Sequence, residues 1–205
     1  ESIAYVLDEL KDYNFHEIII VDKASTDGTL EILNNYPVTV LQQENEGWGS
    51  AVIQGFNKAS GEFITYMDGD GSYNPRAIIE MNALSRDYDF LCGSRYKHKN
   101  TSEDDTFFRA IGNKLFTLLT IHVLKLKITD SLFFYPYMKN SDYSKIKPIS
   151  KYFGICIEIP LLLARQGLTY DDVLSLERKR YGGITKVRAI SDGLKILFEV
   201  LKFIK

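Results

Sequence analysis

Asp68 and Asp70 flank Gly69 directly after an apolar run, Phe63-Ile64-Thr65-Tyr66-Met67, and just before Gly71-Ser72-Tyr73-Asn74-Pro75. The context reads as a buried strand that delivers two carboxylates and then turns. Side chains at i and i+2 of a strand point to the same side. Carboxylates held that close repel each other unless a cation lies between them. Oxygen ligands of this kind suit Mg²⁺ or Mn²⁺, and such an ion can grip a diphosphate. An acidic turn capped by glycines is the plain alternative, so the weight rests on what surrounds the motif. Asp22 closes a second apolar run, Glu17-Ile18-Ile19-Ile20-Val21, in the same manner.

The elements that must position these carboxylates follow from periodicity. Ile3, Val6, Leu7 and Leu10 recur at helical spacing over residues 2–13. Apolar runs at 17–21, 37–41, 62–67 and 89–93 read as buried strands, separated by helical patterns after Thr29, at 50–60 and at 75–84. Asp27 or Ser25 is a candidate cap for the helix after Thr29. Strand alternating with helix at this spacing predicts an α/β fold with a mostly parallel central sheet flanked by helices. Ligands of such sheets sit at the carboxyl ends of the strands, which puts Asp22 and Asp68 in one cleft. Beyond 97–105, a charged loop, come a long apolar helix over 107–126 and an aromatic, strand-like stretch over 130–137. A helix over 154–166, a strand within 168–180 and an amphipathic helix over 187–205 complete the pattern.

Composition excludes several classes. The formal charge of −2 gives nucleic acid no general attraction, while 45% apolar residues support a sizeable core. Residues 178–205 differ, with eight Lys or Arg against Asp192 and Glu199. That basic, amphipathic segment predicts contact with anionic lipid head groups. No run reaches the roughly 18 apolar residues of a membrane span, and the longest apolar helix is broken by Arg109, Asn113, Lys114, His122 and Lys125. Cys92 and Cys156 read as buried thiols of a reducing compartment. His16, His98 and His122 are scattered and have no zinc-like spacing. There is no signal peptide, and the first residues already belong to a helix, as expected of a fragment.

Several segments, taken in order, resemble the family 2 glycosyltransferases of GT-A fold, and among them the dolichyl- or polyprenyl-phosphate sugar synthases. The segment 21–29 is similar to that family's nucleotide loop, and 45–51 with Gly55, Ala59 and Gly61 to its glycine-rich loop and helix. Asp68-Gly69-Asp70 with Pro75 resembles its metal motif, and Gly93-Ser94-Arg95-Tyr96 the segment after the next strand. Asp130, Glu158 with Ala164 and Gly167, and Arg180-Tyr181-Gly182-Gly183-Ile184-Thr185-Lys186 extend the likeness to about Gly193. The chain departs from the pattern at Lys23, where the family has a second acid. It departs again at Phe134 and Pro136, which stand where the family has a glycine and a basic phosphate contact. The family's first strand, central in its sheet and followed by a Pro-x-Tyr-Asn loop, has no counterpart here and is expected upstream of Glu1.

The resemblance implies a GT-A catalytic domain over 1–186, with a nucleotide-sugar half at 1–96 and an acceptor half at 97–186, followed by a basic helix at 187–205. It implies metal held by Asp68, Asp70 and Ser72, and donor contacts from Asp22, Ser25, Gly49, Asp68 and Gly69. Asp70, Arg95, Asp130, Glu158, Arg180 and Lys186 are the implied catalytic set. Metal, Mg²⁺ or Mn²⁺, serves as a Lewis acid on the leaving diphosphate of a GDP- or UDP-linked sugar. Arginine grips phosphate oxygens bidentately, and Lys acts as a point charge. A lipid-phosphate acceptor arrives ionised and needs no strong base. A saccharide hydroxyl needs one, for which Glu158 or Asp130 is the candidate. The expected setting is the cytoplasmic face of a membrane, with peripheral contact and no nucleic acid. A non-catalytic sugar-nucleotide-binding relative, and more remotely a nucleotidyltransferase, are the other readings.

Overall fold

The computed structural model describes residues 2–98, 101–182 and 189–204. Helix α1 (Ser2–Leu10) leads to β1 (Ile19–Asp22), α2 (Thr29–Leu33), β2 (Thr39–Gln42), α3 (Trp48–Lys58), β3 (Phe63–Thr65), α4 (Arg76–Leu84) and β4 (Phe90–Ser94). Then come α5 (Phe107–His122), β5 (Pro136–Lys139), α6 (Asn140–Tyr143), α7 (Ile155–Arg165), β6 (Tyr170–Leu174) and α8 (Ala189–Leu201). The predicted α/β alternation therefore holds. Gly28, at φ 83°, takes the N-cap position of α2, and Asp27 accepts from Thr29 N at 3.3 Å and Thr29 Oγ1 at 2.6 Å.

β1 and β2 pair in parallel, Ile19 opposite Thr39 through Asp22 opposite Gln42. The remaining strands form one sheet in the order β3-β5-β4-β6. β4 and β6 are parallel, but β5 runs antiparallel to both β3 and β4. The reversal has a physical cause. After α5 the chain returns to the carboxyl edge of β4, where Asp130 accepts from Arg95 N at 3.1 Å and Thr129 Oγ1 meets Ser94 Oγ at 2.6 Å. A strand that starts from that edge can only run back along the sheet. Pro136, which cannot donate to a ladder, stands at its first position.

Alternation along the strands feeds two cores. Phe90, Cys92 and Met138 join the face covered by Val52 and Phe56 of α3, Ile155 to Leu163 of α7 and Val200 of α8. Leu91, Tyr137 and Val173 join the opposite face with Ala77, Ile78 and Met81 of α4. Both cysteines are free and buried, as expected.

The two sheets do not meet. β1 pairs with β2 and β3 with β5, and a cavity of about 390 Å³ lies between β1 and β3. Its walls include Ile19, Val21 and Ile64, roofed by Val6 and Leu7 of α1 and floored by Val52 of α3. The carbonyls of Ile18 and Asp22 accept from Thr39 and Gln43 of the β2 side, so by alternation the backbone of Ile19 and Val21 faces the cavity. Buried Thr65 Oγ1, also in its lining, has no hydrogen-bond partner. At one end Glu17 Oε1 accepts from Ser60 N at 2.6 Å, Ser60 Oγ at 2.8 Å and Gly61 N at 3.2 Å, which ties the two halves. Among the described residues the sheet is thus split at this cavity.

Among the described residues no helix is long and apolar enough to cross a membrane. In the α8 segment Ile196 and Val200 enter the core, while Leu194, Leu201 and Ile204 share a solvent-facing side with Phe198. Ile111, Leu115 and Leu118 of α5, which packs beside α8, are exposed as well.

Candidate active site

β3 ends at Thr65, so Asp68 and Asp70 stand in the turn beyond it rather than on the strand. Strand alternation therefore does not aim them; hydrogen bonds do. Tyr66 donates its hydroxyl to Asp68 Oδ1 in a short bond and accepts from Trp48 Nε1 at 2.7 Å. Asp70 Oδ1 accepts from Ser72 N at 2.9 Å and Ser72 Oγ at 2.6 Å, a local Asx-type turn. Ser72 is itself buried, and its hydroxyl orients Asp70. One oxygen of each carboxylate is thereby engaged. Burial pushes the Asp68 carboxyl up to about 6, with the Tyr66 hydrogen bond opposing, the Asp70 charge adding and Arg180 opposing.

Arg180 is brought over this pair. Tyr181 N donates to Asp70 O at 2.9 Å and Arg178 N to Ser72 O at 2.8 Å, so the segment after β6 lies along the acidic turn. Tyr181 stacks on Tyr5 of α1 with ring centroids 4.3 Å apart, and Arg178 grips Glu9 with two bonds of 2.8 Å. The Arg180 guanidinium then reaches Asp70 Oδ2 at 3.5 Å and Asp104 Oδ2 at 3.0 Å. Asp104 also accepts from Arg109, at 3.3 Å on Oδ2 and 3.0 Å on its carbonyl.

Asp22 Oδ1 accepts from Ser25 N at 2.7 Å and Oδ2 from Ser25 Oγ at 2.5 Å, a turn that passes through Ala24 at φ 56°. The pair expected to face a nucleotide is thus pre-arranged at the carboxyl end of β1. Gly49 and Gly47 permit a close backbone approach, but to protein. A Cβ on Gly49 would lie 2.5 Å from Ser150 O and 2.7 Å from Tyr152 O, and one on Gly47 would strike Lys151 O. Gly69 has ordinary room, with Ile3 Cδ1 at 3.4 Å from such a Cβ.

Two expected residues, Arg95 and Asp130, meet in a buried hub. Arg95 Nε and Nη2 donate to Asp130 Oδ2 and Oδ1 at 2.7 and 3.0 Å, and Nη1 to Glu177 Oε2 at 3.0 Å. Asn113 Nδ2 completes the Asp130 shell at 2.7 Å. Glu158, also buried, accepts from Ile149 N at 3.0 Å and Ser150 N at 2.8 Å and so holds the loop that cradles Gly49. Lys186 lies outside the described residues. The structure therefore joins Asp68, Gly69, Asp70, Ser72 and Arg180 in one place. Arg95 and Asp130 pair with each other next to this group, linked to it through Glu177, whose neighbour Arg178 bonds Ser72 and whose charge acts on Asp68, and Glu158 is placed on the 149–150 loop. Trp48, Tyr66, Asp104 and Glu177 were not anticipated. The signal for Tyr66 was its place two residues before Asp68, and for Trp48 its place between two glycines.

The donor set fits a hard divalent cation. Asp68 keeps Oδ2 outside its Tyr66 bond, Asp70 turns Oδ2 toward Arg180 at 3.5 Å, and a buried carboxyl gains from a positive partner. Among the described residues no three His, Cys, Asp or Glu side chains converge as a closed cage. An ion here would keep coordination positions for water and phosphate, the usual habit of Mg²⁺.

Residues 1–147 match the family described as "Glycosyl transferase family 2". Glycosyltransferase AglJ of Haloferax volcanii is 26% identical over 205 residues, covering 98% of this chain and 67% of that protein. A dolichol-phosphate mannosyltransferase of Pyrococcus furiosus is 36% identical over 105 residues, covering 48% of this chain and 30% of the relative. The fold superposes on glucosyl-3-phosphoglycerate synthase from Mycobacterium tuberculosis, solved with Mn²⁺ and UDP-glucose. The TM-score is 0.73 at 15% identity, over 99% of this chain and 74% of that one.

Proposed function

Since this chain belongs to glycosyl transferase family 2, we propose that it moves a sugar from a nucleoside-diphosphate sugar to a polyprenyl-type lipid phosphate at a membrane surface. The observation that carries the reading is the Asp68–Asp70 pair with Arg180 Nη1 3.5 Å from Asp70. Asp68 and Asp70 would hold Mg²⁺ or Mn²⁺, which when bound supplies Lewis-acid stabilisation to a leaving diphosphate. Arg180, held by Asp104, stands ready to take a phosphate oxygen as charge develops. Asp22, fixed by Ser25, presents acceptor oxygens to a base or ribose. Lys186 is assigned to the acceptor phosphate.

An ionised phosphate acceptor asks for no proton removal. That agrees with the placement of the two candidate bases, since Asp130 is bonded to Arg95 and Asn113 and Glu158 to two backbone N–H groups. Arg95 and Glu158 then act by holding neighbouring segments rather than by touching substrate. The likeness to a dolichol-phosphate mannosyltransferase supports the acceptor class, and the fold shared with a Mn²⁺- and UDP-glucose-bound synthase supports the donor class. The solvent-facing apolar rows of α5 and α8 support peripheral contact with lipid, here assigned to the cytoplasmic face.

The test is transfer of radiolabelled mannose from GDP-mannose, or glucose from UDP-glucose, to a polyprenyl phosphate in detergent with Mn²⁺. Label in the organic phase, abolished by Asp70→Asn, is expected. A protein that is stabilised by donor and Mn²⁺ yet yields no product would be a non-catalytic binder. Label transferred only to saccharides would reassign the acceptor.

A further inference from the structure

We infer that Tyr66 and Trp48 are positioning residues for Asp68, through which the chain's single tryptophan is wired to the cation site. The inference deepens the proposed function, because it rests on Asp68 holding a cation. Trp48 donates Nε1–H to the Tyr66 hydroxyl at 2.7 Å, and that hydroxyl has one proton, which it gives to Asp68 Oδ1. With the Trp48 donor on its lone pair, Tyr66 is left one direction in which to donate. Asp68 is therefore held with Oδ1 engaged and Oδ2 as its remaining face.

The tryptophan is itself locked. Its ring stacks on Phe153 at 5.1 Å and meets Phe134 and Tyr66 edge-on at 5.5 and 5.4 Å. Its backbone lies between Gly47 and Gly49, which sit against the 150–152 carbonyls, and Glu158 fastens that loop by its Ile149 and Ser150 N–H groups. A continuous path of packed and hydrogen-bonded groups thus runs from α7 through the indole to the carboxylate. Outer-shell partners of metal ligands commonly matter as much as this path requires.

The experiment is Mn²⁺ titration of the intact chain with UDP or GDP, free Mn²⁺ being read by electron paramagnetic resonance. Trp48 emission is followed in parallel with Mg²⁺, excited at the red edge of tryptophan absorption. Tyr66→Phe, which keeps the ring and removes the hydroxyl, should weaken Mn²⁺ by about 10-fold or more and silence the emission change. Nucleotide binding without metal should be unchanged, a pattern that a general loss of structure would not give. Trp48→Phe, which keeps the stack and loses the N–H, should weaken Mn²⁺ by a smaller factor. Wild-type Mn²⁺ affinity in Tyr66→Phe would overturn this inference and leave the cation reading standing. No bound Mn²⁺ in the wild type, with Asp68→Asn indistinguishable from it, would overturn both.

Discussion

Replacing Asp68 by Asn should make the metal-free protein more stable at neutral pH while removing cation binding. Asp68 has its carboxyl raised from 3.8 to about 6, chiefly by burial. Below 3.8 the group is protonated both folded and unfolded and contributes no pH dependence. Between these values the folded state holds the extra proton, so stability falls as pH rises. Above about 6 the full penalty applies, and the shift of roughly two units corresponds to about 3 kcal/mol. Asn imitates the neutral acid and can still accept from Tyr66, so it escapes that penalty. For a domain of this size the gain is roughly 6–12 °C in melting temperature. The assay is thermal unfolding of chelator-treated wild type and variant from acid to mildly basic pH. The gap should open as pH rises and close near the unfolded pKa. Adding Mg²⁺ with nucleotide should then stabilise the wild type alone by mass action. A gap that does not vary with pH, or a variant less stable than wild type at neutral pH, would refute the reasoning.

Asp130→Asn should cost about 3–5 kcal/mol in denaturant unfolding, because it leaves the buried Arg95 guanidinium facing an amide where a bidentate carboxylate stood. Gly49→Ala should cost about 1–3 kcal/mol and shift Trp48 emission, since its Cβ meets backbone carbonyls that the Glu158 contacts hold in place.

Local pattern was enough for the runs that become β1, β3 and β4, because near-continuous apolar residues mark strands packed inside a sheet, fully so for β4. It placed Asp22 at the carboxyl end of β1, while Asp68 falls in the turn beyond β3. It could not reveal the direction of β5, which depends on where the 123–135 segment returns to the sheet rather than on residues 136–139. Nor could it reveal that Arg95 is bonded to Asp130 and Glu177. Those partners lie 35 and 82 residues away, and an arginine after a strand looks the same whether it faces phosphate or a buried acid. The i, i+2 argument does not hold for Asp68 and Asp70, since β3 stops short of them and contacts from Tyr66, Ser72 and Arg180 orient them instead. α8 is apolar on more than one side, so its pattern alone does not tell which side is buried; packing beside α5 and against the α7 core decides that.

The gap between β1 and β3 has a consequence for access. Backbone donors and acceptors on Ile19 and Val21 line an apolar trench whose two banks are both ready to form ladders. Edges of that kind pair readily with an extended segment when they are open, but here α1 and α3 cover them from above and below. Any extended segment that is to pair with β1 must therefore displace α1, so access to the trench is governed by the α1 contacts through Glu9–Arg178 and Tyr5–Tyr181.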